Sequence, residues 1–220
     1  MLKVTYIEHS GYFVELDECC LLFDYYRGDI PLINKPLYVF VSHHHSDHYN
    51  HEIYNLDIDY PHINYIIADD IKINEGQDNI LVVAAHKHYK LDKIDIYTLK
   101  SNDEGVAFIV RTCNKTIYFA GDLNPWLWED NTKDENLNSY LSYIKEIDMI
   151  KAVDFDLAFV VLDPRLKQFA TVGIDYFINN CKSKRIFPMH FWHEHNIVLN
   201  YASNHQEVIK LKHPQSTFIF

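Results

Sequence analysis

The hydrophobic positions of the chain follow two rhythms. Short apolar or alternating runs at residues 4–7, 12–16, 20–23, 37–41 and 65–68 predict strands, punctuated by Ser10-Gly11 and Asp17-Glu18 as turns. Residues 80–85 and 94–99 predict strands of a second sheet, with His86-Lys87-His88 as a polar hairpin tip between them. Asn74-Glu75-Gly76-Gln77 reads as a turn. Residues 106–110 and 116–120 predict a hairpin around Asn114-Lys115, and 156–162, 185–187 and 217–220 predict later strands. The helical rhythm is strongest over 136–153, where Leu137, Leu141, Ile144, Ile147 and Ile150 form a stripe. Residues 173–180 predict a second helix, with short helices starting at 51, after Asn50, and over 206–211. A strand-rich first half, with helices between later strands, predicts an α/β chain of two stacked sheets flanked by helices.

One segment does not fit a purely structural reading. The apolar run Leu37-Tyr38-Val39-Phe40-Val41 leads directly into Ser42-His43-His44-His45-Ser46-Asp47-His48. Imidazole nitrogens and carboxylate oxygens are ligands of zinc and similar divalent ions. In a loop leaving a buried strand, alternate residues turn towards one point. His43, His45 and Asp47 alternate in this way and His48 follows directly, so these four can converge on a cation.

Composition narrows the setting. At 220 residues, 48% of them hydrophobic and 23% charged, the chain suits one domain over 1–220 with a sizeable core. Its 16 Tyr and 13 Phe predict aromatic packing in that core. A net charge of −11 supplies no general attraction to nucleic acid or anionic membrane. Cys19, Cys20, Cys113 and Cys181 lack metal-binding spacing, and no run is long and apolar enough for a membrane span. Lys3-Val4-Thr5-Tyr6 begins a strand at once, without signal-peptide character, so the cytoplasm is the expected compartment.

His43-x-His45-x-Asp47-His48 resembles the metal-binding signature of metallo-β-lactamase-fold hydrolases. Ile7-Glu8-His9-Ser10-Gly11 and Leu21-Leu22-Phe23-Asp24 resemble the opening hairpin of the branch that includes the ascorbate-6-phosphate lactonases. Ala120-Gly121-Asp122 resembles the segment carrying a bridging Asp, and Pro188-Met189-His190 the segment carrying the last His. The resemblance implies a four-layer αββα sandwich. It also implies one or two divalent ions, zinc first, with manganese or iron as alternatives. By this likeness His43 and His45 serve a first metal site, Asp47, His48 and His190 a second, and Asp122 bridges them. His9 would wall the metal pocket, and Asp24 could orient a ligand His from behind it.

The chain departs from the family where a third first-site His is expected. That stretch reads Leu99-Lys100-Ser101-Asn102-Asp103-Glu104-Gly105. Three readings stay open: Asp103 or Ser101 approaches the metal, His86 or His88 reaches in, or the first site is weak or empty. Around the presumed ligands, Trp126, Trp128 and Trp192 suggest an aromatic pocket wall. Arg165 suits a substrate carboxylate or phosphate, or a salt bridge to Asp163. Asp47 has a second possible role as the catalytic carboxylate that orients activated water and passes a proton to the leaving group. The expectation is a metal-dependent hydrolase opening an ester, lactone or phosphodiester bond of a small molecule. The alternatives are a nuclease of the same fold and a non-catalytic metal- or metabolite-binding protein.

Overall fold

In a computed structural model, which describes residues 1–60, 62–73 and 78–220, strands are laid down in the order β1 (Lys3–Glu8), β2 (Gly11–Glu15), β3 (Cys20–Phe23), β4 (Leu37–Val41), β5 (Ile63–Ala68), β6 (Ile80–Val83), β7 (His88–Leu91), β8 (Ile94–Lys100), β9 (Val106–Thr112), β10 (Lys115–Phe119), β11 (Asp154–Phe155), β12 (Leu157–Val161), β13 (Lys182–Ser183), β14 (Ile186–Met189) and β15 (Thr217–Ile219). The helices are α1 (Lys133–Asp148), α2 (Val172–Asn180) and α3 (His195–Asn204). One sheet has the order β15-β1-β2-β3-β4-β5-β6, the other β14-β12-β10-β9-β8-β7. The short β11 and β13 pair separately.

Side-chain alternation explains why the strands are apolar at every position. Along β4, Tyr38 and Phe40 enter the core shared by the two sheets, while Leu37, Val39 and Val41 join a second cluster on the opposite face. β3 divides in the same way, Leu21 and Phe23 facing one cluster, Cys20 and Leu22 the other. A strand buried on both faces cannot show polar alternation. The second cluster includes Ile53 from a 3-10 segment, His51–Ile58, which follows the Asn50 cap. Tyr143 and Ile147 of α1 and Ile174 and Phe177 of α2 pack into the larger core. Layered sheets with helical cover give the αββα arrangement.

Several expected elements differ. β6 pairs in parallel with β5 at the edge of the first sheet rather than belonging to the second. The hairpin partner of β8 is β7, so the turn lies near Asp92-Lys93 and His86-Lys87-His88 is no hairpin tip. α1 begins earlier, capped by Thr132 and Glu135, and ends before the predicted 153. Its buried face carries Tyr143, Glu146 and Ile147, whereas Leu137 and Leu141 are exposed. Residues 206–211 are not helical: Val208 bridges Ile186 beside β14. The predicted turn at 74–77 lies outside the described residues. No helix among the described residues is long and apolar enough to cross a membrane.

Candidate metal centre

Strand direction brings the chemistry to one edge of the sandwich. β3 and β4 are parallel, so Asp24 and the Ser42–His48 loop leave the first sheet side by side. β10, β12 and β14 are also parallel, so Asp122, Asp163 and His190 follow their carboxyl ends in the second sheet. His9 comes from the β1–β2 turn, and Asp103 from the β8–β9 loop. That loop is tightly seated: Val106 N donates to Ser42 O at 2.9 Å, and Asn124 N donates to Asn102 Oδ1 at 3.1 Å. Gly105 has φ of +65°, and a Cβ there would lie 1.9 Å from Ser42 O. Only glycine fits this conformation and approach.

Buried carboxylates orient the imidazoles. Asp24 Oδ2 accepts from His48 Nδ1 at 2.7 Å and from Ser42 Oγ at 2.6 Å. Because Ser42 donates its proton to Asp24, it accepts from His43 Nδ1 at 2.9 Å. His190 Nδ1 donates to Asp163 Oδ2 at 2.9 Å. His43, His48 and His190 therefore all donate from Nδ1 and turn Nε2 towards the site. This is how metal-bound histidines are held in their ligating tautomer.

Two donor groups result. His43, His45, Asp103 and Asp122 form one; His9, Asp47, His48 and His190 form the other, with the donor atoms of each group within 4.8 Å of one another. Asp122 stands between them, Oδ2 at 3.5 Å from His43 Nε2 and Oδ1 at 3.1 Å from His48 Nε2. His9 Nε2, His48 Nε2, His190 Nε2 and Asp122 Oδ1 are buried without a hydrogen-bond partner among the described residues. Buried polar atoms are rarely left unpaired. Four such atoms facing one another fit a divalent cation once His48 Nε2 has given up its proton.

The electrostatics agree. Burial lowers His9 to about 4 and, with His48 nearby, His43 to about 3, so both imidazoles are neutral at pH 7. Burial opposes charge on His48 too, yet Asp122 and Asp24 outweigh it and raise its pKa. Burial would raise Asp122 and Asp47, but the surrounding imidazoles hold both carboxyls well below the usual range. Burial and the nearby Asp122 raise Asp103.

The remaining candidates fall on both sides of the boundary. A cleft of about 610 Å³ is lined by Asp47, Asp103, Trp126, Trp128, Arg165 and Trp192, with Tyr26 and Asn102 adding to the wall. Trp126 and Trp128 stack with 7° between their planes, and Arg165 lies 5.0 Å from the Trp192 ring centroid. Arg165 Nε and Nη2 both donate to Asp163, so the residue braces the carboxylate behind His190. Ser101 is buried outside the cleft, its Oγ accepting from Asp103 N at 3.2 Å. His86 sits against Glu146 and His88 against Asp95, so neither supplies the missing ligand. His44 turns outward to Asp70 and Glu104. Tyr26 is a wall position that no local sequence signal marks.

A two-sheet sandwich with a His/Asp donor cluster at one edge defines the class, and the comparisons agree with it. Residues 3–137 match the beta-lactamase superfamily domain family, and the chain belongs to that family. No curated protein matches the chain. Among solved structures, the chain is similar to Igni18, a metallo hydrolase from the archaeon Ignicoccus hospitalis, with 16% identity and TM-score 0.69 over 100% of this chain and 99% of that one. It is similar to the metallo-beta-lactamase fold protein YhfI from Bacillus subtilis, with 14% identity and TM-score 0.65 over 99% and 98%. It also resembles CmlA, a diiron beta-hydroxylase from Streptomyces venezuelae, with 9% identity and TM-score 0.65, covering 100% of this chain but 54% of that one.

Proposed function

We propose that the protein is a metal-dependent hydrolase that opens an ester, lactone or phosphodiester bond in a small molecule. The observation carrying this reading is the set of buried, unpartnered donor atoms on His9, His48, His190 and Asp122 beside an open cleft. His43 and His45 would hold a first ion, Asp47, His48 and His190 a second, and Asp122 would serve both. Zinc is the first candidate for these ions, with manganese and iron as alternatives. A divalent ion supplies Lewis acidity and lowers the pKa of water.

The protein's own groups account for the remaining steps. Asp47 is part-exposed at the cleft and ionised at neutral pH, so it can accept a proton and return it to a leaving group. The buried aspartates Asp24 and Asp163 keep His48 and His190 aimed while charge develops. Trp126 and Trp128 offer a flat apolar wall. The Arg165 guanidinium, part-exposed, places positive charge at the rim for an anionic substituent. A cleft of this size suits a small molecule. The likeness of the opening hairpin to the branch that includes the ascorbate-6-phosphate lactonases supports an ester, lactone or phosphodiester bond and does not choose among them. We further propose that residues 1–220 work as a single domain, since the donors come from both sheets. Its four free cysteines suit the reducing cytoplasm.

The test is elemental analysis of the purified protein with a panel of lactones, esters and phosphodiesters, repeated on His45→Ala and Asp122→Asn. Bound metal, with turnover lost in both variants, is expected. Bound metal without turnover would support a binding protein, and turnover confined to nucleic acid would support a nuclease.

A further inference from the structure

We propose that His9 is a direct ligand of the second metal site, which becomes a three-imidazole cage closed by Asp47 and Asp122. The inference rests on the metal-dependent reading above and adds a ligand from the β1–β2 turn. Two donors about 2.1 Å from one ion stand between about 3 and 4 Å apart, depending on their angle. Asp47 Oδ2 lies 3.3 Å from His9 Nε2, 3.9 Å from His48 Nε2 and 3.7 Å from His190 Nε2. One carboxylate oxygen thus stands at ligand–ligand distance from three imidazole nitrogens. Asp122 Oδ1 repeats the relation, 3.1 Å from His48 Nε2 and 3.5 Å from His190 Nε2. The three ring centroids are 4.3, 5.3 and 5.7 Å apart, as expected of rings arranged around one point.

His9 packs against the His190 and Trp192 rings, 4.3 Å from each centroid. It is buried, and neither ring nitrogen has a hydrogen-bond partner among the described residues to fix the imidazole. Its contact with Asp47 lacks hydrogen-bond alignment, although the distance is short. Its backbone is left-handed, φ 54°, as is that of His190 at 65°. Such conformations persist at functional sites when surrounding structure holds them. The pocket wall implied by sequence likeness is therefore, on this geometry, part of the metal's own coordination. The two sites become unequal: the first has two imidazoles with Asp103 and Asp122, the second three imidazoles with Asp47 and Asp122. The nitrogen-rich, more enclosed second site holds its ion more tightly.

Titrating metal-free protein with Zn²⁺ against a chromophoric chelator tests this. Wild-type protein is expected to fill one site well before the other, and His9→Phe to weaken the tighter site by at least about 10-fold. One equivalent of Co²⁺ in the wild-type protein supplies a readout that needs no variant. Three hyperfine-shifted imidazole N–H signals are expected in its NMR spectrum. Two signals, or unchanged affinity in folded His9→Phe, would overturn the His9 assignment while leaving the hydrolase reading intact. Wild-type protein that takes up neither ion would overturn both.

Discussion

His48 Nδ1 donates to Asp24 Oδ2 over 2.7 Å, with both side chains fully buried. The same carboxylate takes the hydroxyl proton of Ser42, which holds His43. One aspartate therefore sets the ring orientation of a histidine in each donor group. Asp24→Ala is expected to reduce metal affinity by about 10- to 100-fold, a typical effect of losing a group that orients a ligand. Competition with a chelating indicator would measure it, and unchanged affinity would remove Asp24 from the centre.

Metal uptake should release protons. In the metal-free fold the His48 pKa lies above 6.5, because Asp122 and Asp24 overcome the effect of burial. The proton on Nε2 must leave before that atom can bind an ion, so affinity rises with pH while His48 remains protonated, by up to about 10-fold per unit. His9 and His43, lowered to about 4 and about 3, are already neutral at pH 7 and release nothing. Calorimetric zinc titrations in buffers of different ionisation enthalpy would count the protons released. Zero release at pH 7 would contradict this account.

Gly105→Ala should destabilise the fold by at least about 3 kcal/mol, combining backbone strain with a steric conflict that neither loop can avoid. The added methyl would meet Ser42 O, an atom already accepting from Val106 N. Urea denaturation monitored by circular dichroism is the measurement. A loss below about 1 kcal/mol would mean that the β8–β9 loop can move away.

Arg165→Ala should act in two separable ways. Removing the brace on Asp163 loosens His190, which lowers metal affinity modestly. Removing the rim charge raises KM for anionic substrates more than for neutral ones. Arg165→Lys keeps the charge but loses the paired hydrogen bonds, so it should restore substrate discrimination without restoring metal affinity. Equal effects on both substrate classes would assign Arg165 to support alone.

The strands and the metal loop were legible because their signals are local. Leu37–Val41 is apolar throughout since both of its faces are covered, and the donors of the following loop lie within a few residues. Elements fixed by distant partners were not. α1 turns Glu146 inward because His86 and Lys100 N bond to its carboxylate, which leaves Leu137 and Leu141 outside the apolar phase. α3 starts after Glu194 without a side-chain cap, so no signal marks its beginning. Residues 206–211 are drawn alongside β14 by the Ile186–Val208 bridge. In the site, Asp103 was one of several open candidates because loop seating, not spacing, brings it to His43 and His45. Sequence likeness puts His9 at the pocket wall, but its closeness to Asp47, His48 and His190 depends on the turn conformation of its own backbone.

The chain has three tryptophans, and all three line the cleft. Indole emission from this protein therefore originates at the candidate site, with no background from tryptophan elsewhere. A quenching cation or a stacked ligand should change the whole tryptophan signal, so the native protein carries its own optical gauge of occupancy and can be screened against compound libraries without a label.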